Sequence, residues 1–439
     1  MDFIRLKIKM NSLKKIHENL IHLSKGKQAH WLIRRKTGYL LRLTNNYIHQ
    51  SGYQDQISVA LRLMRGGRMG LVETSDVSRA GLESLIETAR KAVSIVGARR
   101  AVPLPIVHDY FPAALEFSPP AASRKMKQAL ECVKQLGAIA HGYFSNYEWQ
   151  NFVGNSSGLA MEHSSTGAKF GLTVNRGLGS GYQTIYKPDA RKINFVEIAE
   201  DALKHACLTE REIKIKPGRY PVILAPRALA AFFSNFLEEW NGLRFQEKES
   251  FLIHHKKKPL GSKLWNVTDD VTHPLQTGIP FDVEGDVRKK VTLVKNGRFE
   301  NCVYDRWTAE RYYVKTTGHS VSLSGEEGAL PYNIVVAGGK HSLGEMIKKI
   351  KRGILIPNIW YHQIVNPSHW TVTGLTRGGA AWIEDGKIAG GLGRARYQDG
   401  LLGALERTSA MSREQYALKV RDLGALVFPY IQIEDLRIV

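Results

Sequence analysis

Histidine pairs, scattered cysteines and one glycine-rich run are the features of this 439-residue sequence that could carry chemistry. His362 and His369 flank a ring-rich segment (Trp360, Tyr361, Trp370), and a turn at Pro367 could bring the two imidazoles together. So placed, they could share a metal ion or serve a self-sufficient hydrolase, or they could simply be imidazoles satisfied by hydrogen bonds. His254 and His255 are adjacent. They diverge on a helix and face opposite ways on a strand, and Lys256, Lys257 and Lys258 beside them repel a cation. Cys132, Cys207 and Cys302 are far apart and form no CxxC or Cys/His pair of zinc-site spacing, which predicts reduced, buried thiols. The GLGSG run from Gly177 to Gly181 follows a Thr/Asn/Arg strand with no helix behind it, a poor phosphate cradle. No Walker loop occurs.

The elements that would position these residues fall into three blocks. In the first, a helix from Leu13 to Leu23 keeps Ile16 and Leu20 on one side, and Trp31 to Ile33, Tyr39 to Leu43 and Ile57 to Met64 read as strands. A helix from Ser78 to Val96 follows, capped by Ser78, with Leu82, Leu85, Ile86, Ala89, Ala92 and Val93 at helical spacing and Arg99-Arg100 beyond its end. Pro103, Pro105, Pro112, Pro119 and Pro120 predict a linker, and Ser123 can cap a helix that stops at Gly137. The second block adds strands at Tyr143 to Val153 and Gly158 to Val174, then a helix from Asn194 to Leu208 whose Asn194 and Glu197 have capping-box spacing. The third opens with a strand (Pro221 to Ala225) and a helix (Arg227 to Trp240), in which Glu238 and Glu239 read as a solvated end. Beyond Asn266 it is rich in strands and turns, and Asn296-Gly297 and Asp385-Gly386 each sit between apolar runs as hairpin signals. The expected fold class is α+β and multi-domain: N-terminal α/β-type domains at 1–102 and 103–214, both α+β, then a mainly antiparallel, β-rich C-terminal domain at 215–439.

The third block also carries a series of motifs. These are Pro280-Phe281-Asp282-Val283-Glu284-Gly285, Val294-Lys295-Asn296-Gly297-Arg298-Phe299, Thr308-Ala309 and Thr316-Thr317-Gly318. Arg352-Gly353-Ile354-Leu355, Val365-Asn366-Pro367 and Ile383-Glu384-Asp385-Gly386-Lys387-Ile388 follow. In this order they resemble the TldD/PmbA family, extensively over 216–390 and, before that, at Leu61 to Thr74. TldD-like chains of that family carry HExxxH on the helix after the first strand of this block, and a later cysteine, which together bind a catalytic zinc. PmbA/TldE-like chains lack both. Here the helix reads RALAAFFSNFLEEW and the stretch after Gly390-Gly391 reads LGRARYQDG, with no histidine and no sulfur ligand.

The resemblance therefore implies a PmbA/TldE-like subunit with no catalytic residue, metal site or cofactor of its own. Zinc is expected in a TldD-like partner that completes a heterodimer, cutting extended peptide substrates in proteolysis or peptide maturation. Phe281, Asp282, Glu284, Gly285, Thr316, Thr317 and Gly318 are carried over as substrate-binding residues near the chamber. The alternative is that they only shape turns, with carboxylates accepting backbone N–H bonds and glycine supplying positive φ. An exposed sheet edge would hold an extended peptide by main-chain hydrogen bonds.

Bulk composition adds a constraint. The formal charge is +21, with 43% hydrophobic and 23% charged residues. Arg5, Lys7, Lys9, Lys14, Lys15, Lys25, Lys27, Arg34, Arg35 and Lys36 contribute much of it, with smaller groups at 254–258 and 348–352. Such a field attracts nucleic acid or an acidic partner, but no nucleic-acid module signature accompanies it. A basic binding protein is thus the competing reading. No run of about eighteen uncharged apolar residues and no signal-peptide pattern occurs, so a cytoplasmic protein without membrane attachment is expected.

Overall fold

A computed structural model of the chain describes residues 13–95, 119–256, 258–324, 327–421 and 424–439. Arg5, Lys7, Lys9, Val96, Arg99, Arg100, Pro103, Pro105, Pro112 and Lys257 lie outside them. Six strands form one antiparallel sheet: β1 (Gln28–Thr44), β2 (Tyr47–Arg65), β3 (Arg68–Thr74), β4 (Ile139–Asn155), β5 (Ala160–Arg176) and β6 (Gly179–Lys187), in the order β3-β2-β1-β4-β5-β6. β1 is continuous where the sequence suggests two strands. Its polar middle, Arg34 to Gly38, is laddered to β2 on one side and β4 on the other. Ladder hydrogen bonds need no apolar side chains, so two-sided pairing carries the strand through. The boundary expected near 102 falls outside the described residues, and the strands on either side of it share this sheet.

Alternation along the strands sorts their side chains onto two faces. On β1, Ala29, Trp31 and Ile33 pack with α1 (Leu13–Leu23) and α2 (Arg79–Ile95), while Tyr39, Leu41 and Leu43 pack with α3 (Pro119–Gln135) and α4 (Phe195–Leu208). Both helix pairs thus cover one face, at opposite ends. α3 starts four residues before Ser123, with Pro119 and Pro120 in its first turn, where a missing N–H leaves no broken bond. Asn194 caps α4 by accepting from the Glu197 N–H at 3.2 Å. Gly177 opens the β5–β6 hairpin at φ +54. The other glycines of GLGSG answer to α4: a Cβ would lie 2.0 Å from Ala206 O at Gly179 and 1.9 Å from Ala202 O at Gly181. The run is a helix–sheet contact.

The opposite face of the sheet receives the third block. Leu32, Val153 and Met161 pack there against Ile279, Phe281, Val283 and Leu323. The block is built on a largely antiparallel sheet around the strand Gly424–Ile438, which pairs antiparallel with Gly218–Leu224 and Thr408–Arg421; among the described residues three strand pairs are parallel. Both Asx-Gly hairpins form as expected, with φ of 48° and 75° at Asn296 and Gly297 and 44° and 76° at Asp385 and Gly386. Two positive φ values are what a type I′ turn requires. The expected helix Arg227 to Trp240 is instead α5 (Pro226–Phe233) followed by a 3₁₀ helix, Ser234–Trp240. Three residues per turn align positions i and i+3, and Phe233 and Phe236 accordingly lie 5.5 Å apart, in a cluster with Trp240 and Trp265.

Candidate functional site

The Phe281–Gly285 turn packs the third block against the N-terminal sheet. Phe281, Asp282 and Glu284 are each only 2% exposed. Asp282 Oδ1 accepts from the N–H groups of Glu284 and Asp286, and Oδ2 from that of Ser320, at 2.9–3.0 Å. Glu284 pairs with Arg62 of β2 at 3.1 Å, and Arg62 also donates to Leu323 O. His30 Nε2 donates to Val283 O at 2.9 Å. Gly285, at φ +83, leaves no room for a Cβ, which would meet the Leu159 side chain at 2.6 Å.

The Thr316–Gly318 loop closes on the same turn. Thr317 exchanges hydrogen bonds with the Tyr304 backbone, at 2.7 Å to its hydroxyl and 2.9 Å from its N–H. Gly318 (φ +72) lies so close to Val287 that a Cβ would stand 2.4 Å from the Val287 carbonyl oxygen. The structure thus brings all seven motif residues together, with Thr316 and Thr317 half-buried and the rest buried. Charges inside this knot are perturbed. Burial, with Glu284 and Asp286 nearby, pushes the Asp282 carboxyl up to about 7. Burial and Glu284 raise Asp305 to about 6, and burial beside Arg62 lowers His30 to about 3.

α5 presents apolar side chains. Ala228, Leu229, Ala230, Phe232 and Phe233 are buried in the core of the third block, and none offers a ligand to a zinc ion. Among the described residues no group of three or more His, Cys, Asp and Glu side chains could hold a metal. Phe232 packs on His362, whose Nδ1 is 2.5 Å from the Tyr397 hydroxyl; burial lowers this imidazole to about 4. His369 is exposed in the turn Pro367–His369, so the two histidines occupy unlike environments. His254 is exposed and His255 half-buried in the 3₁₀ helix Phe251–His255. The expectation of a solvated Glu239 is corrected: its carboxylate is buried, accepts from the Phe251 N–H at 3.1 Å and pairs with Arg244 at 3.2 Å, whereas Glu238 is exposed. Of the thiols, Cys302 is buried and Cys132 and Cys207 are half-buried; none is in a disulfide.

A second constellation was not drawn from the sequence. On the helix-free face of the N-terminal sheet, cations alternate with aromatic rings. Lys36 lies 4.3 Å from the Tyr147 ring, Lys419 lies 4.9 Å from Trp149 and 5.7 Å from Tyr186, and Lys169 lies 5.7 Å from Tyr143. Arg227, at the start of α5, stacks 4.9 Å from Tyr182, and Arg377 lies 4.3 Å from Trp360. Two cavities of about 420 and 390 Å³ meet at Arg227, between this face and the third block. Period-two spacing (Tyr143, Tyr147, Trp149; Tyr182, Tyr186) was a visible signal. Which face it belonged to was not, because that depends on the third block docking there.

A two-lobed α+β chain with this interlocked turn defines a class also seen in other proteins. Residues 217–439, 223 of 439, match the family model described as PmbA/TldA metallopeptidase C-terminal domain, and residues 32–95 match PmbA/TldA metallopeptidase domain 1. The chain belongs to the PmbA/TldD metallopeptidase family. It is 19% identical to the Metalloprotease PmbA homolog of Haemophilus influenzae, covering 83% of this chain and 82% of that one. It is 24% identical to the Metalloprotease TldD homolog of Buchnera aphidicola (subsp. Acyrthosiphon pisum), covering 72% and 71%. In fold it is similar to TldE from Thermococcus kodakarensis, with TM-score 0.86, 20% identity and coverage of 97% and 99%. A putative modulator of a DNA gyrase from Thermotoga maritima gives TM-score 0.84, 19% identity and coverage of 98% and 100%. No helix among the described residues is long and apolar enough to cross a membrane.

Proposed function

We propose that this chain is the metal-free subunit of a TldD/TldE-type metallopeptidase complex, paired in the cytoplasm with a zinc-bearing TldD-like partner and holding extended peptide for cleavage or maturation. The observation that carries the reading is α5. Metal-assisted hydrolysis needs ligands and a base on that helix, and the chain has alanines and phenylalanines packed into a core there. Thr316 and Thr317 are the motif residues left accessible to substrate, while Phe281, Asp282, Glu284 and Gly285 act by fixing the wall they belong to. The strand Asn358–Asn366, paired on one side with Thr371–Arg377, supplies an edge for main-chain hydrogen bonds to an extended peptide. The test is reconstitution: the purified chain alone is expected to be inactive on unfolded peptide, and to raise turnover when a TldD-like chain is added. Chelator-sensitive hydrolysis by the chain alone would overturn the proposal.

A further inference from the structure

We propose that the paired cavities around Arg227 bind the Asp and Glu side chains of an acidic peptide segment, so that the subunit selects peptide by charge as well as by extended shape. The inference rests on the peptide-holding reading above and adds a substrate class to it. Lys169, Arg227, Arg377 and Lys419 line the two cavities, and neither lining contains an Asp or Glu. Among the described residues, Lys169, Arg227 and Arg377 form no ion pair with a carboxylate. Gathering cations in a partly dehydrated cleft is unfavourable until an anion enters. Lys169 registers this, its ammonium held below the usual lysine range by burial and by Arg227.

Arg227 is also pre-set for a carboxylate. Its Nε donates to Asn358 Oδ1 at 2.6 Å, its Nη2 reaches the Tyr182 hydroxyl at 3.3 Å, and its plane lies over the Tyr182 ring. A guanidinium fixed in this way loses little freedom when its remaining N–H groups bind an anion. The charge is spread over two cavities rather than gathered at one point, which suits several side-chain carboxylates better than a single chain terminus. Asn358 and Ile359, at the start of the one-sided strand, line the first cavity. A peptide along that edge would project same-side residues roughly 7 Å apart. Rings and cations also suit single-stranded nucleic acid; the metallopeptidase family model favours peptide.

Fluorescence anisotropy with the full chain tests this. The probe is a Glu/Asp-rich peptide with an amidated C-terminus, compared with its Gln/Asn isostere, the same isostere bearing a free C-terminal acid, and an oligothymidine of matched charge. The acidic peptide is expected to bind about tenfold or more tightly than the Gln/Asn isostere, as charge-assisted hydrogen bonds allow. Lys169→Gln and Arg377→Gln should each erode that preference. Arg377 is exposed, so its variant keeps the test open if the lysine variant folds poorly, and a Lys348→Gln/Lys349→Gln double variant should keep the preference. Four results would overturn the proposal: no preference; a preference insensitive to Lys169 and Arg377 or lost equally in the Lys348/Lys349 control; a free C-terminus sufficing; or oligothymidine binding more tightly through the same residues. None of these readouts involves zinc or turnover, so failure here is distinguishable from failure of the subunit assignment.

Discussion

At the scale of single residues, the buried charges of the Phe281–Gly285 turn hold the two halves of the chain together. The Arg62–Glu284 pair is buried on both sides, with side chains 9% and 3% exposed. Removing one member strands the other in a dehydrated site. Arg62→Ala is therefore expected to cost about 3–5 kcal/mol, read as a lower midpoint in denaturant, while replacing both members with apolar residues of similar size should cost less. Asp305 tests the electrostatics with a defined sign. Its folded pKa, about 6, lies above the roughly 3.9 of an unfolded Asp. Its penalty is absent below the unfolded value, grows as pH rises from 4 to 6 and is complete above that. Asp305→Asn keeps the acceptor that caps the helix Arg306–Arg311. It should raise stability by about 1–3 kcal/mol at pH 8 and leave it unchanged near pH 4; an equal effect at both values would contradict the assignment. These roles were half legible in the sequence. Asp and Glu beside Gly mark a turn in the sequence, but their burial is not legible there, because their partners Arg62 and Ser320 come from distant parts of the chain.

At the scale of elements, local signals served well where the cause is local. The two Asx-Gly hairpins, the Asn194 cap and the Gly137 stop (φ +65) formed where turn and cap chemistry put them. Elements set by distant partners were misjudged. β1 depends on ladders to β2 and β4, and the 3₁₀ segment after α5 accompanies an aromatic cluster drawing on Trp265 and Phe428. Gly179 and Gly181 of GLGSG accommodate α4. Gly181→Ala would drive a methyl group into the Ala202 carbonyl, and is expected to destabilise by about 1–3 kcal/mol and to speed hydrogen exchange in α4. Exchange unchanged from the parent would show that the helix can shift cheaply.

At the scale of the whole molecule, a six-stranded sheet carries helices on one face and the third block on the other, so the inner face becomes a walled surface of lysines, arginines and rings. The +21 charge acquires a location in this way, since part of it lies where a bound peptide would pass. Peptide binding should weaken with added salt, because charge attraction in a partly open cleft is screened. Family membership follows from the domain matches; the absence of a ligand set on α5 is what sets this chain's proposed role. The most direct measurement is zinc content and peptidase activity of the purified chain before and after a TldD-like partner is added. The account predicts well below one zinc per isolated chain and no hydrolysis until the partner is present. One zinc per isolated chain, lost to a chelator together with peptidase activity, would contradict it.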